Sequence, residues 1–145
     1  MVISILVTTA DAGLITALHQ ATHATLRALG TRLAYLDLTA AEQNVLAVMA
    51  DGRTRSAGDV AAATGTRPTT LTSVLDRLEG RQLLTRKVDA ADRRSLLITL
   101  TPAGRQTAAT VQAAVAKLEG HVLAGLTAAQ VAGFRAVTRA LTEVH

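Results

Sequence analysis

The chain has 145 residues, no cysteine, no tryptophan and a formal net charge of +4. That length allows one domain with helical extensions and a buried core, and the missing thiols exclude a disulfide framework, a thiolate zinc site and any cysteine nucleophile or redox switch. The opening "MVISILV" is apolar but has no basic residue ahead of it and no small-residue cleavage pattern. At about seven residues against the roughly 18 of a membrane span, it predicts neither signal peptide nor membrane helix, and a cytoplasmic protein is expected.

A mean hydropathy of +0.29 comes largely from alanine, a helix former. The excess charge is local. Nine basic residues (Arg53, Arg55, Arg67, Arg77, Arg81, Arg86, Lys87, Arg93 and Arg94) face five acidic ones (Asp59, Asp76, Glu79, Asp89 and Asp92) in the middle of the chain, and the rest balances. A localised basic surface is the footprint expected for a polyanion partner.

In chain order, a first helix is expected over 11–36, with Leu14, Leu18, Leu29, Leu33 and Leu36 near one side. Further helices are expected over 39–51, 56–64 and 67–80, followed by a β-hairpin of 83–88 and 95–100 and by two last helices over 101–124 and 127–143. Helix starts are marked by "TAAE" at Thr39, "SAGD" at Ser56 and "TAAQ" at Thr127, each with a hydroxyl three residues before an acid or amide. "TPAG" at Thr101 offers a hydroxyl cap followed by proline. Gly52, Gly65 and Gly125 follow periodic stretches, where a left-handed residue would close each helix. Along the second strand Leu96, Ile98 and Leu100 alternate toward one face.

The stretch "SAGDVAAATGTRPTTLTSVLDRLE" reads as two short helices joined after a glycine, the helix-turn-helix signature. In the second helix Leu71, Val74, Leu75 and Leu78 form one apolar stripe. Its other face carries Arg67, Thr69, Thr70, Thr72, Ser73 and Arg77, short hydroxyls and arginines that fit a DNA major groove and bond phosphates and base edges. Threonine is a poor choice for a merely solvated helix, because its branched Cβ lowers helix propensity. A hairpin follows directly, so the fold class is mainly α with a small β-hairpin wing: a winged helix-turn-helix. The wing tip "DAADRR" would set Arg93 and Arg94 toward the adjoining minor groove, whose negative potential attracts arginine. Asp92 is expected to pair with and orient an arginine. With Arg86 on the first strand, the candidate DNA-binding set is Arg67, Thr69, Thr70, Thr72, Ser73, Arg77, Arg86, Asp92, Arg93 and Arg94.

From about residue 38 to 105 the sequence resembles the MarR family of winged-helix transcription regulators, through "LTAAEQNVLAVMADG", "SAGDVAAATG", "TLTSVLDRLEGRQLLTRK" and "DAADRRSLLITLTPAGR". Asp92, Arg94, Leu100, Thr101 and Gly104 match that family's wing signature. The resemblance implies a homodimer that binds double-stranded DNA at a near-palindromic operator, usually as a repressor, with a small-molecule effector held between dimer helices and winged domain. It divides the chain into an N-terminal dimerisation helix (1–37), a DNA-binding domain (38–101) and C-terminal dimerisation helices (102–145). Two departures stand out. Gln82 replaces a glycine usual after the recognition helix, which predicts a reshaped helix exit, and the cysteine of the peroxide-sensing members is absent.

His19 and His23, four apart on the first helix, have metal-ligand spacing but no companion cysteine or obvious acidic pair, and read as surface or interface residues. No glycine-rich phosphate loop, nucleophile elbow or HExxH helix occurs. No enzyme, cofactor or metal is expected. A competing reading is a winged-helix protein-interaction or ligand-binding module without DNA affinity, which would tend to replace the basic tip with apolar anchors.

Overall fold

The structure is a computed structural model that describes residues 13–144, so "MVISILV", the expected helix start at Asp11 and His145 lie outside the described residues. The chain divides into two compact units, residues 1–40 and 41–145. In the first, helix α1 (Leu14–Arg32) is followed by a 3₁₀ turn at Ala34–Leu36. The expected single helix through residue 36 thus stops early. Asp37 closes the turn at φ 52°, a left-handed conformation that its short polar side chain tolerates.

The second unit holds most of α2 (Ala40–Val48), then β1 (Arg55–Ser56), α3 (Ala57–Thr64), α4 (Pro68–Gly80), β2 (Leu84–Val88), β3 (Leu96–Leu100), α5 (Pro102–Leu123) and α6 (Ala128–Thr142). Expected and observed bounds agree to within one residue, except that α2 ends at Val48 instead of near 51. The expected hairpin is a three-stranded antiparallel sheet in the order β1-β3-β2. Arg55 pairs with Ile98 and Ser56 with Leu97, while Leu84 pairs with Leu100 and Arg86 with Ile98 on the other side. Two residues carry no alternation to reveal a strand, so β1 is visible only in the fold.

Val45, Leu46 and Met49 of α2 and its following turn, Val60 of α3 and the α4 stripe of Leu71, Val74, Leu75 and Leu78 are buried, with Leu84, Ile98 and Leu100 of the sheet and Ala108 and Val111 of α5. Leu96, at the far end of the alternation, is exposed. Burying such side chains stabilises by about 1.5–3 kcal/mol each, which makes this cluster the main hold on the unit. Among the described residues no helix is long and apolar enough to cross a membrane.

The helix starts follow the sequence signals. Ser56 Oγ accepts from Asp59 N at 3.0 Å, Thr101 Oγ1 from Gly104 N at 3.0 Å, and Thr127 and Gln130 close a reciprocal capping box. Gly52 and Gly65 are left-handed as expected, but Gly125 is not. The link between α5 and α6 instead continues as tight right-handed turns, Gly125 N to Val122 O and Leu126 N to Leu123 O, so no left-handed residue is required there.

The exit of α4 keeps the form that glycine would give it. Gln82 sits at φ 58°, its N–H bonds the Glu79 carbonyl at 2.8 Å and the Leu83 N–H reaches back to Leu78 O at 3.0 Å. These two bonds make a Schellman cap, and a glutamine occupies its left-handed position without reshaping it. The same turn anchors α5. Thr101 N donates to Leu83 O at 3.1 Å, Thr101 Oγ1 donates to Gln82 O at 2.7 Å, and a Cβ on Gly104 would overlap the Leu83 carbonyl.

Replacing Gln82 with glycine is expected to raise the urea midpoint, removing a left-handed penalty of about 1 kcal/mol; a lowered midpoint would mean that the glutamine side chain holds the turn. Gly104→Ala should do the opposite, destabilising by about 3 kcal/mol, the upper end of overpacking costs, and an unchanged melting curve would contradict the close approach.

Candidate nucleic-acid interface

Arg67 is the N-cap of helix α4, extended (φ −64°, ψ 143°) and without a side-chain cap, and Pro68 opens the first turn. Residues 65–67 join it to α3: Gly65 is left-handed and the Thr66 N–H returns to Ala61 O. Asn44 Nδ2 of α2 donates to the Thr64 carbonyl at 3.2 Å, satisfying the end of α3. With the apolar stripe facing inward, Arg67, Thr69, Thr70, Thr72, Ser73 and Arg77 are all exposed. The hydroxyls are not equivalent. Thr72 Oγ1 donates to Pro68 O at 3.0 Å and Ser73 Oγ to Thr70 O at 2.9 Å, which leaves their lone pairs outward, whereas Thr69 and Thr70 make no side-chain hydrogen bond among the described residues.

The wing tip is built by two aspartates. Asp89 Oδ1 accepts from Ala91 N at 2.9 Å and Asp92 Oδ1 from Arg94 N at 3.0 Å. Both are side-chain-to-backbone turns of the kind aspartate favours. Asp92 therefore does not pair with a guanidinium, as the sequence suggested; its carboxylate is satisfied by a backbone N–H and fixes the loop from which Arg93 and Arg94 project. Both arginines are exposed, and like Arg67 they form no ion pair among the described residues.

Two other arginines of the expected set are engaged by carboxylates of the protein itself. Arg77 Nε meets Glu42 Oε1 of α2 at 2.6 Å, and that carboxylate is only 3% exposed. Arg86, on β2, is gripped by α4: Nη2 lies 2.7 Å from Asp76 Oδ1 and 2.5 Å from Glu79 Oε2, while its backbone N donates to Glu79 Oε1 at 3.2 Å. Hydrogen bonding to Arg86 holds the Glu79 carboxyl below its ordinary range, and the guanidinium is raised in turn. A third pair joins the loop before β1 to the strand's first residue, where Arg55 Nη1 and Nη2 each reach a carboxylate oxygen of Asp51 at 2.7 Å. Arg55 is the first cause of an Asp51 pKa far below the usual carboxylate range.

Sequence reasoning passed over Glu42, Asp76 and Glu79. The i, i+3 spacing of the two acids, which places them on one helix face, was the available signal for the last pair; nothing local marks Glu42, whose partner is 35 residues away. His19 and His23 lie on α1, and among the described residues no cluster of three potential ligands could hold a metal.

The MarR family profile matches residues 36–95. Among solved structures, BpsR of Bordetella bronchiseptica, whose DNA binding is described as regulated by 6-hydroxynicotinic acid, is 28% identical, with a TM-score of 0.78 over 92% of this chain and 95% of that one. MepR of S. aureus in a DNA complex is 21% identical, with a TM-score of 0.80 over 93% of this chain and 100% of the other. BldR, a transcriptional regulator from Sulfolobus solfataricus, is 20% identical, with a TM-score of 0.75 over 90% and 94% of the two chains. No match was found among curated protein sequences. The profile match runs from the start of the helix-turn-helix region into the wing and the structural likeness extends across nine-tenths of the chain, so residues 36–95 are similar to the MarR family and the fold is that of winged helix-turn-helix proteins.

Proposed function

We propose that this protein is a homodimeric, sequence-specific DNA-binding repressor whose grip on a pseudo-palindromic operator is released by a small molecule. The observation that carries the reading is the contrast among its arginines. Arg67, Arg93 and Arg94 are exposed and without an acidic partner among the described residues, and they bracket a helix face of short hydroxyls. Unpaired guanidinium groups suit phosphate and groove contacts. In this reading Arg67, Thr69, Thr70, Thr72 and Ser73 contact the major groove, and Arg93 and Arg94 the adjoining minor groove.

Dimerisation is supported by helices that bury too little. Neither α1 nor α6 has a buried residue, yet Leu14, Ile15, Leu26, Phe134, Val137 and Val144 are exposed on or beside them. Apolar surface of that extent marks an interaction site. We assign residues 1–37 and 102–145 to dimerisation and 38–101 to DNA. A two-fold pair of recognition helices requires half-sites about 34–36 Å apart. Release by an effector is supported by BpsR, the relative regulated by 6-hydroxynicotinic acid; a calorimetric screen of small aromatic acids tests it, and absence of both heat and DNA release would retire it.

Selecting preferred sites from random duplexes tests the central reading. A dimer that neutralises about 6–10 phosphates should lose roughly 10³–10⁵-fold in affinity between 50 and 200 mM salt. Arg94→Ala is expected to weaken binding and reduce the salt slope by about two units per dimer, with helicity and dimer intact; wild-type affinity in this variant would remove the wing from the contact. Phe134→Glu, at a position 61% exposed in the single chain, should convert the dimer to monomer in light scattering, and a dimer that survives it would place the interface elsewhere.

A further inference from the structure

Resting on the DNA-binding reading, we infer that Asp76, Glu79 and Arg86 form a positioning clamp that sets the angle of the wing to the recognition helix, so that two acids on a DNA-facing helix strengthen DNA binding. Charge alone predicts the reverse. Asp76 and Glu79 are half-exposed on α4, and carboxylates on a helix that approaches phosphates should weaken binding by like-charge repulsion.

Their geometry gives them another task. Arg86 Nε and Nη2 both meet Glu79 Oε2, Nη2 also meets Asp76 Oδ1, and the Arg86 backbone N–H donates to Glu79 Oε1. The guanidinium, 20% exposed, is turned into the protein on these two sides and makes a weak candidate for a phosphate ligand. What it joins is the last turn and a half of α4 to the middle of β2. Arg86 is paired with Ile98 of β3, so the hairpin moves with it.

Otherwise helix and wing are joined by the Schellman turn at residues 80–83 and by the apolar packing of α4 on the sheet, and non-directional packing beside a turn leaves a hinge rotation loosely specified. The tip lies about five residues beyond Arg86, roughly 16 Å at strand rise. A swing of about 10° on that lever displaces Arg93 and Arg94 by on the order of 3 Å, enough to lose a hydrogen bond whose donor–acceptor distance is about 3 Å. A directional attachment at Arg86 removes that swing before DNA arrives, and preorganisation of this kind is gained as affinity.

The test compares wild type, Glu79→Gln, Asp76→Asn, Arg86→Gln and the Glu79→Gln/Arg86→Gln double variant on one selected duplex at fixed salt, with salt slopes, light scattering and thermal melts of the same samples. Glu79→Gln is expected to weaken binding about tenfold, within the range of coupled contacts, although it removes negative charge. Its salt slope should stay at the wild-type value, and the double variant should bind no more weakly than Arg86→Gln. Asp76→Asn, which leaves the Glu79 bonds in place, should show a smaller loss and provides the readout if Arg86→Gln unfolds. Equal or tighter binding by both Glu79→Gln and Asp76→Asn overturns the clamp while leaving the regulator reading intact. So does a salt slope lowered by Arg86→Gln alone, which would make Arg86 a direct phosphate contact. A wild-type chain that binds no duplex at low salt overturns the regulator reading and the clamp with it.

Discussion

The second unit turns on the carbonyl of Leu83. It lies one residue past the left-handed Gln82, accepts the N–H of Thr101 at 3.1 Å, and is approached so closely by Gly104 that no side chain fits between them. Three elements meet there: the end of α4, the start of β2 and the first turn of α5. Because β3 runs into Thr101, the contact also returns the hairpin to the point where it began. The wing is a closed loop of chain whose two ends are pinned to the same turn, and this lets a sheet of five-residue strands hold a definite shape.

Packing and charge have separate duties in this arrangement. The stripe of Leu71, Val74, Leu75 and Leu78 against the sheet supplies most of the hold, since each fully buried side chain is worth about 1.5–3 kcal/mol and an exposed ion pair about 0–1 kcal/mol. Hydrophobic contact is non-directional, however, and leaves rotation of a helix over a sheet only loosely specified. The ion pairs are directional: Arg86–Glu79 lies partly exposed beside the sheet, and Arg77–Glu42 ends on a buried carboxylate of α2. They fix how α4 lies against α2 and β2.

Helix boundaries were legible because their chemistry is local. A capping hydroxyl and the backbone donor it satisfies lie three residues apart within one turn, so "SAGD", "TPAG" and "TAAQ" locate three starts to within a residue. The apolar stripe of α4 was legible for the same reason. What escaped was pairing across distance: β1 with β3, Arg77 with Glu42, Arg86 with α4. Gln82 shows a different limit. Its sequence identity argued against a left-handed residue, but two backbone bonds and the Thr101 anchor impose that conformation on whatever side chain is present. Gly125, with no such bonds to demand it, stayed right-handed. A residue's conformational preference decides the outcome only where the surroundings leave it free.

The same distinction governs how the outer face of α4 would read a duplex. Thr72 and Ser73 have committed their protons to carbonyls of their own helix, and so present acceptors, which match the exocyclic amino groups of adenine and cytosine in the major groove. Thr69 and Thr70, near the helix start, keep hydroxyls that rotate to donate or accept. On the proposed reading, the fixed part of the code lies toward the middle of α4 and the adaptable part toward its N-terminus. There Arg67, at the N-cap with its guanidinium unpaired among the described residues, combines with the free N–H groups of the first turn to favour a phosphate. A helix held in place by its buried side would then take its register from the backbone at one end and its sequence preference from the two committed hydroxyls beyond.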